Sequence, residues 1–277
     1  MSKILFPVDP SEYTATGWRY ILDIVKNHKP YVEGIAIIDV LDLVEQAVTY
    51  FPLPQGTEGH IKKEEELLAD ARRRAEEELI RFKERCKEVR IRCSAKIMEG
   101  RPDFIIEQKS NYSDLIVMGL RNFFHFETWK RPETSMKQIL GHVTAPVLGV
   151  PEKYRKIKRV LVAYEQSAPS VRAVQQFVKI MDGNSYEIIL LTKSDDENDA
   201  MEKLKDLEDY LAHHGHMSVT KKWISRSLRK TVEKDYLDQV DLVVCGQYSK
   251  RPVAEFFVGK FTQFLIDRNR TAIFVSQ

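Results

Sequence analysis

Residues 114–119 read Asp-Leu-Ile-Val-Met-Gly, and residues 241–246 read Asp-Leu-Val-Val-Cys-Gly. Each stretch places a short, wholly apolar run between an aspartate and a glycine. Such runs, with no polar alternation, are typical of strands that are covered on both faces, as in a parallel sheet. The same pattern at two places in a chain of 277 residues indicates an internal duplication.

The duplication extends to both sides of these two runs. Upstream, Ile97 and Ile224 lie at the same distance before the two glycines. The other matches are between residues 4–11 and 160–167 and between residues 145–150 and 271–276. The polar segment 151–156 opens with a proline, so we expect the boundary there, with one domain at 1–152 and a second at 153–277.

Apolar runs and amphipathic patterns alternate along each copy. Strands are predicted at 3–8, 31–39, 90–97, 113–118 and 146–150, and again at 158–164, 185–192, 218–224, 240–245 and 271–276. Helices are predicted at 12–27, 60–88, 102–111 and 133–143, and again at 168–181, 198–214, 227–238 and 254–268. Strands that alternate with helices predict an α/β fold, in which each copy is a five-stranded parallel sheet with helices on both faces.

The first copy is the longer one, and most of its additional residues fall between positions 41 and 70. They lead into a highly charged helix at 62–88. This helix is either a partner-binding arm or an amphipathic helix that packs on the sheet. The helical spacing of its apolar residues favours the second interpretation; they are Leu67, Leu68, Ala71, Ala75, Leu79 and Phe82.

The composition is that of a globular protein, with 43% hydrophobic and 30% charged residues. A formal net charge of +2 requires neither nucleic acid nor a membrane surface as a partner. The three cysteines are too few for a disulfide framework, so we expect a reducing, cytoplasmic compartment. The first residues show no signal-peptide pattern, and no run reaches the ~18 apolar residues of a membrane span.

Three segments of the chain resemble the universal stress proteins. They are Pro7-Val8-Asp9-Pro10-Ser11, then Glu99-Gly100-Arg101-Pro102 followed by residues 114–119, and finally residues 145–150. The resemblance implies a Rossmann-like fold of the adenine-nucleotide-alpha-hydrolase type. It also implies a contact through the last strand of each unit, which a tandem chain can make within itself as a pseudo-dimer. A homodimer of the whole chain stays open.

Nucleotide-binding members of this family carry Gly, two residues, Gly, nine residues, and then Gly-Ser or Gly-Thr. Glycines let backbone N–H groups approach a phosphate, and the N-terminus of the following helix favours an anion. The resemblance further implies that an acid at the end of strand one meets the ribose or base. Ligands of such sheets lie beyond the carboxyl ends of the strands.

The first copy keeps only part of this phosphate loop. Gly119 is present, but Asn122 replaces the second glycine, and Glu133-Thr134 stands at the Gly-Ser position. Asparagine tolerates left-handed backbone better than most residues, so it is a partial substitute. The Glu133 carboxylate would repel a phosphate by about 1–4 kcal/mol at ~4 Å. Asp9 is the acid at the end of strand one.

The second copy keeps the spacing but not the residue types. Gly246 is followed by Ser249 and then by Gly259-Lys260. Lys260 is either a phosphate contact or a solvated surface lysine, and the second interpretation is favoured. Glu165 replaces the strand-one aspartate.

The candidate nucleotide contacts are therefore distributed over both copies. Those of the first copy are Pro7, Val8, Asp9, Val40, Met118, Gly119, Asn122, Thr134 and Ser135, and those of the second are Ala163, Glu165, Gly246, Ser249, Gly259 and Lys260. The ligand that the resemblance implies is ATP or AMP.

Other chemistry-bearing groups have simpler interpretations. The histidines of residues 213–216 are predicted to end a helix rather than to bind a metal. Cys245 is predicted to be a buried apolar residue equivalent to Met118. The aromatic segment 123–130 is predicted to be a lid over the cleft or a contact between the copies, with packing against its own domain as the alternative.

The sequence contains no HExxH, Walker-type phosphate loop or nucleophile elbow. It therefore favours a non-enzymatic stress-response or regulatory protein with degenerate nucleotide loops and an unidentified protein partner. A weak ATP or AMP sensor, an ATP-hydrolysing enzyme, and a regulatory module that acts on a membrane transporter are the alternatives.

Overall fold

A computed structural model describes residues 1–26, 28–50, 56–122, 124, 126, 134–247 and 259–277, with the backbone alone for residues 46–50, 122, 134 and 135. The long strands of the first half are β1 (Lys3–Pro7), β2 (Tyr31–Ile38), β3 (Cys93–Glu99), β4 (Leu115–Gly119) and β7 (Val147–Val150). Those of the second half are β8 (Arg159–Ala163), β9 (Glu187–Lys193), β10 (Val219–Ile224), β11 (Leu242–Gly246) and β12 (Ala272–Ser276). Two short strands, β5 (Arg121–Asn122) and β6 (Thr134–Ser135), pair only with each other.

The ten long strands form one sheet in the order β10-β9-β8-β11-β12-β7-β4-β1-β2-β3. Within each half all neighbouring strands are parallel. The halves meet where β7 and β12 run antiparallel, with Leu148 opposite Phe274. The last strand of each half is therefore the joining strand, as the resemblance implies.

Helices cover both faces of this sheet. The first half contributes α1 (Glu12–Val25), α2 (Val40–Tyr50), α3 (Glu58–Glu88), α4 (Pro102–Ser110) and α5 (Met136–Leu140). The second half contributes α6 (Ala168–Ile180), α7 (Glu197–His213), α8 (Leu228–Asp235) and α9 (Lys260–Arg268). One apolar core lies between the sheet and α1, α3, α6 and α7, and a second lies between the opposite face and α4, α5, α8 and α9. Both cores contain residues of both halves.

The long helix α3 is amphipathic, as the spacing of its apolar residues predicts. Ala71, Ala75, Leu79 and Phe82 are buried towards the sheet. Its solvent face carries ion pairs such as those of Arg73 with two acids on neighbouring turns. The prediction of a sheet-packing helix is confirmed.

The predicted α/β class is confirmed, and the five strands of each copy merge into one continuous sheet instead of remaining two separate ones. Helix α2 and the β5–β6 ladder were not predicted. Helix α2 begins after Asp39, whose Oδ1 accepts the Asp42 N–H at 3.3 Å, and it is anchored by the buried Leu43. This combination of a capping acid and one apolar anchor is a weak signal in sequence.

Candidate functional site

The candidate residues at the ends of β1 and β4 lie side by side. The two strands are parallel neighbours in which Ile4 opposes Leu115, and this register carries Pro7 to the level of Met118. Val8 and Gly119 follow at the carboxyl edge of the sheet. The structure therefore brings these four candidates together at the edge where ligands of such sheets bind.

Asp9 is buried at this edge, and its carboxylate organises the loop that leads into α1. Its Oδ1 accepts the Ser11 N–H at 3.0 Å, the Thr14 hydroxyl at 2.8 Å, and the Ser11 hydroxyl. The Asp9 N–H donates to the Thr14 hydroxyl oxygen at 2.9 Å. One carboxylate oxygen thus holds the turn before the helix.

Gly119 is needed for the close approach of α1. A Cβ at this position would lie 2.7 Å from the Cβ of Tyr13 and 2.4 Å from the backbone oxygen of Arg121. Real Cβ atoms do not approach so closely, so the Tyr13 side chain lies directly on the glycine. Tyr13 is itself buried, and burial raises the pKa of its hydroxyl.

The two loop positions Asn122 and Thr134 meet across the short ladder. Arg121 opposes Ser135, and Asn122 opposes Thr134, in antiparallel pairing. The positions that sequence spacing assigned to one phosphate loop are thus close in space. Their backbones, however, are hydrogen-bonded to each other.

Val40 lies at the same edge of the sheet, as the first residue of α2, and only Asp39 separates it from the end of β2. Its side chain is half-buried and packs against the core of the α1 face. The structure therefore gives Val40 a packing role at the border of the candidate cleft.

The strand-one acid of the second half is more open. Ala163 opposes Cys245 across β8 and β11, so Glu165 follows at the carboxyl edge of the sheet. Glu165 is exposed, and its Oε1 accepts the Ser167 hydroxyl at 3.1 Å. Ser167 in turn caps α6 by accepting the Ser170 N–H at 3.3 Å.

Gly246 repeats the packing of Gly119. A Cβ on Gly246 would lie 2.4 Å from the Ser170 nitrogen and 2.5 Å from the Pro169 carbonyl carbon. Pro169 follows Glu165 by the same number of residues as Tyr13 follows Asp9. In both halves the glycine is therefore required by the first turn of the helix after strand one.

The second half also presents a helix N-terminus near this edge. Gly259 is the N-cap of α9 and makes no side-chain capping hydrogen bond, and Lys260 is the exposed first residue of the helix. Ser249 and Glu133 lie outside the described residues. Of the second loop the structure thus describes Gly246, Gly259 and Lys260.

The aromatic segment 123–130 is described at two positions only. Phe124 and Phe126 are each 1% exposed and belong to the two cores on opposite faces of the sheet. Both cores contain residues of both halves, so this burial fits a contact between the copies as well as packing against the own domain. The interpretation of the segment therefore stays a prediction.

The histidines at the end of α7 have separate structural contacts. His213 Nδ1 lies 2.6 Å from the backbone oxygen of Asp209, and His214 packs on the Tyr210 ring at 4.6 Å. His216 is buried, and burial lowers its pKa. Over the described ranges no group of three His, Cys, Asp or Glu residues could hold a metal ion.

Cys245 has the buried position that was predicted for it. Its Sγ lies 3.7 Å from the Thr262 hydroxyl, and burial raises the pKa of its thiol to about 12. A thiol with so high a pKa is a poor nucleophile at neutral pH.

Contacts between the halves reach both candidate sites, and the sequence did not predict them. The Asn269 side chain at the end of α9 donates to the Tyr13 hydroxyl. Gln247, directly after Gly246, donates to the Leu140 carbonyl at the end of α5 at 2.7 Å. Tyr13, which lies on Gly119, and Gln247, which follows Gly246, are thus each bonded to the other half. Nothing in the local sequence marks such partners, because they are distant along the chain.

Comparison with solved structures identifies the fold. Over 99% of its length the chain superposes on 98% of a universal stress protein from Archaeoglobus fulgidus, with a TM-score of 0.69 and 19% identity. It also covers 92% of PA1789, a functionally unknown protein from Pseudomonas aeruginosa, with a TM-score of 0.60 and 11% identity. The chain therefore has a Rossmann-like α/β fold, and more particularly the fold of the universal stress proteins, as the sequence resemblance implies.

No family model matches the chain, and no curated protein matches its sequence. Among the helices that the structure describes, none is both long and apolar enough to cross a membrane.

Proposed function

We propose that the chain is a tandem universal stress protein that acts as a non-catalytic regulator, and that its first half has lost adenine-nucleotide binding. The observation that carries this proposal is the Tyr13 side chain, which lies directly on Gly119. A phosphate that approached the backbone at Gly119 would have to displace this buried ring.

Two further contacts support the loss of binding. Asp9, the acid expected to meet ribose or base, already holds its own loop through Oδ1. The backbone at Asn122 and Thr134 is paired in a ladder, whereas a phosphate cradle needs its N–H groups directed at the ligand. Both contacts therefore support the proposal that the first half no longer binds a nucleotide.

Calorimetric titration with ATP and with AMP tests this proposal. We expect no heat assignable to the first half, so Asp9→Asn should leave any measured affinity unchanged. ATP turnover should not exceed the background of the same variant. Two equivalent sites per chain, or affinity that is lost with Asp9→Asn while the circular dichroism spectrum is unchanged, would contradict it.

A second candidate function is weak adenine-nucleotide sensing by the second half. It is favoured by Gly259, which caps α9 without a side chain, and by the exposed Lys260 at the helix start. Backbone N–H groups, the helix dipole and a lysine together suit a phosphate group. The exposed carboxylate of Glu165 lies at the same sheet edge, where a ribose hydroxyl could donate to it.

The sensing function is tested with Lys260→Ala against Lys156→Ala, a matched control at an exposed lysine in the segment between the halves. If the second half binds AMP or ATP, the affinity falls about tenfold or more with Lys260→Ala, as expected for loss of a charged hydrogen bond, and is unchanged in the control. Equal affinities of the two variants would exclude a phosphate at α9.

A regulator without catalysis acts through a protein partner, and the sheet limits where that partner binds. Strands β7 and β12, which correspond to the dimerising strands of the family, already pair with each other. A homodimer or another protein must therefore use a different surface of the chain.

A further inference from the structure

The end of α9 in the second half docks on the first half. Asp267, in its last turn, forms an ion pair with Lys137 of α5. Two residues later, the Asn269 side chain donates to the Tyr13 hydroxyl. Because β7 and β12 are antiparallel, the start of β12 lies at the same end of the sheet as the carboxyl ends of β4 and β7. The residues that precede β12 therefore reach the candidate cleft of the first half, which we call the first cleft.

The end of the helix fixes the position of Asn269. It is the C-cap of α9 with a left-handed φ of 49°, and its N–H donates to the Leu265 carbonyl at 3.2 Å. Asparagine tolerates this backbone better than most residues. The Asn269 Oδ1 is buried and has no hydrogen-bond partner among the described residues. A buried oxygen without a partner is unfavourable, so its hydration on opening offsets part of the loss of the bond to Tyr13.

Tyr13 connects this contact to the first cleft. A Cβ on Gly119 would lie 2.7 Å from the Cβ and 2.9 Å from the Cγ of Tyr13, so the side chain covers the glycine. Rotation about the Cα–Cβ bond of Tyr13 is the movement that takes its ring off Gly119. The hydroxyl is the far end of the ring, and the bond from Asn269 to it opposes this rotation.

The second half lacks the side chains for an equivalent contact. The duplication places Pro169 at the position of Tyr13 and Val143 at that of Asn269. Proline has no hydroxyl and valine has no amide, so these side chains cannot form the corresponding hydrogen bond. The contact therefore acts in one direction, from the second half on the first cleft.

We propose that the end of α9 is an autoinhibitory latch, in which Asn269 of the second half holds the Tyr13 ring over Gly119 and keeps the first cleft closed to an adenine nucleotide. This inference rests on the proposed function, in which the first half does not bind a nucleotide. It adds that the closure is imposed across the β7–β12 pairing. Asn269 is a positioning residue, because it acts through the Tyr13 ring.

Asn269→Gly tests the latch, because glycine adopts the left-handed backbone readily and the substitution removes the amide. Tetranitromethane, which nitrates accessible tyrosines, is applied to the full folded chain without nucleotide. Trypsin then releases residues 4–19, in which Tyr13 is the single tyrosine, for mass spectrometry. The nitration rate of Tyr13 should rise about tenfold in Asn269→Gly, as expected for the loss of one hydrogen bond.

Gln166→Gly is the matched control. Gln166 is an exposed residue of the second half that also has a left-handed φ, of 59°, and the substitution likewise replaces an amide side chain with glycine. It should leave the nitration rate of Tyr13 unchanged. The buried Tyr186 should stay protected in both variants, which distinguishes a local release of Tyr13 from a lost fold.

Calorimetric titration with AMP tests the consequence for the first cleft. Asn269→Gly should gain AMP binding, and adding Asp9→Asn to the same chain should remove the gain. An unchanged nitration rate of Tyr13, or faster nitration without an Asp9-dependent gain in binding, would overturn the latch. Asp9-dependent AMP binding by the parent protein would instead contradict the proposed function, and the nitration rates would still decide whether Asn269 holds the ring.

Discussion

At the scale of single residues, the aspartates that open the two duplicated runs perform the same task. Asp114 Oδ2 accepts the N–H groups of residues 2 and 3 at 2.6 and 2.9 Å. Asp241 Oδ2 accepts those of residues 158 and 159, both at 3.0 Å. Each carboxylate ties the start of the first strand of its half to the start of the fourth. The repeated aspartate therefore has a structural cause that is independent of any ligand.

These paired hydrogen bonds predict a loss of stability when either carboxylate is removed. Asp114→Ala and Asp241→Ala should each lower the free energy of unfolding by about 1–3 kcal/mol, because two backbone donors lose a charged acceptor. Urea unfolding followed by circular dichroism measures the loss. Asp195→Ala, at an exposed position, is the control and should change the free energy of unfolding by less than about 0.5 kcal/mol.

Glu33 is a buried carboxylate on β2 between two lysines. Lys3 Nζ lies 2.6 Å from its Oε2, and Lys109 Nζ lies 3.2 Å from its Oε1. Burial alone would raise the pKa of Glu33, but the hydrogen bonds and charges of the two lysines outweigh burial and lower it. The ionised form therefore stabilises the folded chain.

This lowered pKa predicts an acid-dependent contribution to stability. Because the folded pKa lies below the unfolded one, the contribution is complete above the unfolded pKa and is lost as the pH falls through the folded pKa. The difference in unfolding free energy between the parent protein and Glu33→Gln should therefore stay constant from about pH 7 to about pH 5 and shrink as the pH falls further to about pH 3. Urea unfolding at a series of pH values measures it, and a difference that does not change with pH would contradict this assignment.

At the scale of elements, the strands were predictable and two smaller features were not. The apolar runs of β4 and β11 carry their own signal, because a strand covered on both faces has no polar positions. Helix α2 depends on a cap and one buried leucine, and the β5–β6 ladder depends on pairing between segments separated along the chain. Both features depend on tertiary contacts, which the local sequence does not reveal.

The sequence predicted where the candidate site residues lie in the fold, but not which side chains pack against them. The strand ends and loop spacing placed Asp9, Gly119 and Gly246 at the carboxyl edge of the sheet. That Tyr13 would cover Gly119 does not follow from the sequence, because it depends on how closely α1 approaches the sheet. The same applies to the Asn269 side chain, which comes from the other half.

Packing between α3 and β2 depends on one residue without a side chain. A Cβ at Gly34 would lie 2.5 Å from the Phe82 ring. Gly34→Ala should therefore force the ring to move and lower the free energy of unfolding by about 1–3 kcal/mol. In a Phe82→Leu background the same substitution should be milder, with a coupling energy of about 0.5–3 kcal/mol from a double-mutant cycle. Additive effects would show that the ring and the glycine do not share this space.

At the scale of the whole molecule, the sheet and both cores continue across the boundary between the two halves. The sheet passes through β7 and β12, and both cores contain residues of both halves. Side chains also connect the two halves along this β7–β12 seam. Gln277 donates to the Val143 carbonyl at 2.6 Å, and Gln247 donates to the Leu140 carbonyl. The division into domains at 1–152 and 153–277 stays a prediction, and these contacts indicate that the two units unfold together.

Calorimetry tests whether the two halves unfold together. We expect one thermal transition with a ratio of calorimetric to van't Hoff enthalpy of about one, because neither half can open without exposing the shared seam. Replacing both Gln247 and Gln277 with Ala leaves buried carbonyls at the end of α5 without these donors. The free energy of unfolding of the double variant should therefore be lower by about 1–3 kcal/mol for each donor removed, or its thermal unfolding should show two transitions.

The exposed Gln175 on α6 provides the control for that experiment, because Gln175→Ala removes the same amide from a solvent-facing position. It should leave both the number of transitions and the midpoint unchanged. Two transitions in the parent protein would show instead that the halves unfold independently and that the joined strands add little to their stability. In that case the seam would be a docking contact between two self-sufficient domains, and a partner protein could compete for β7 or β12.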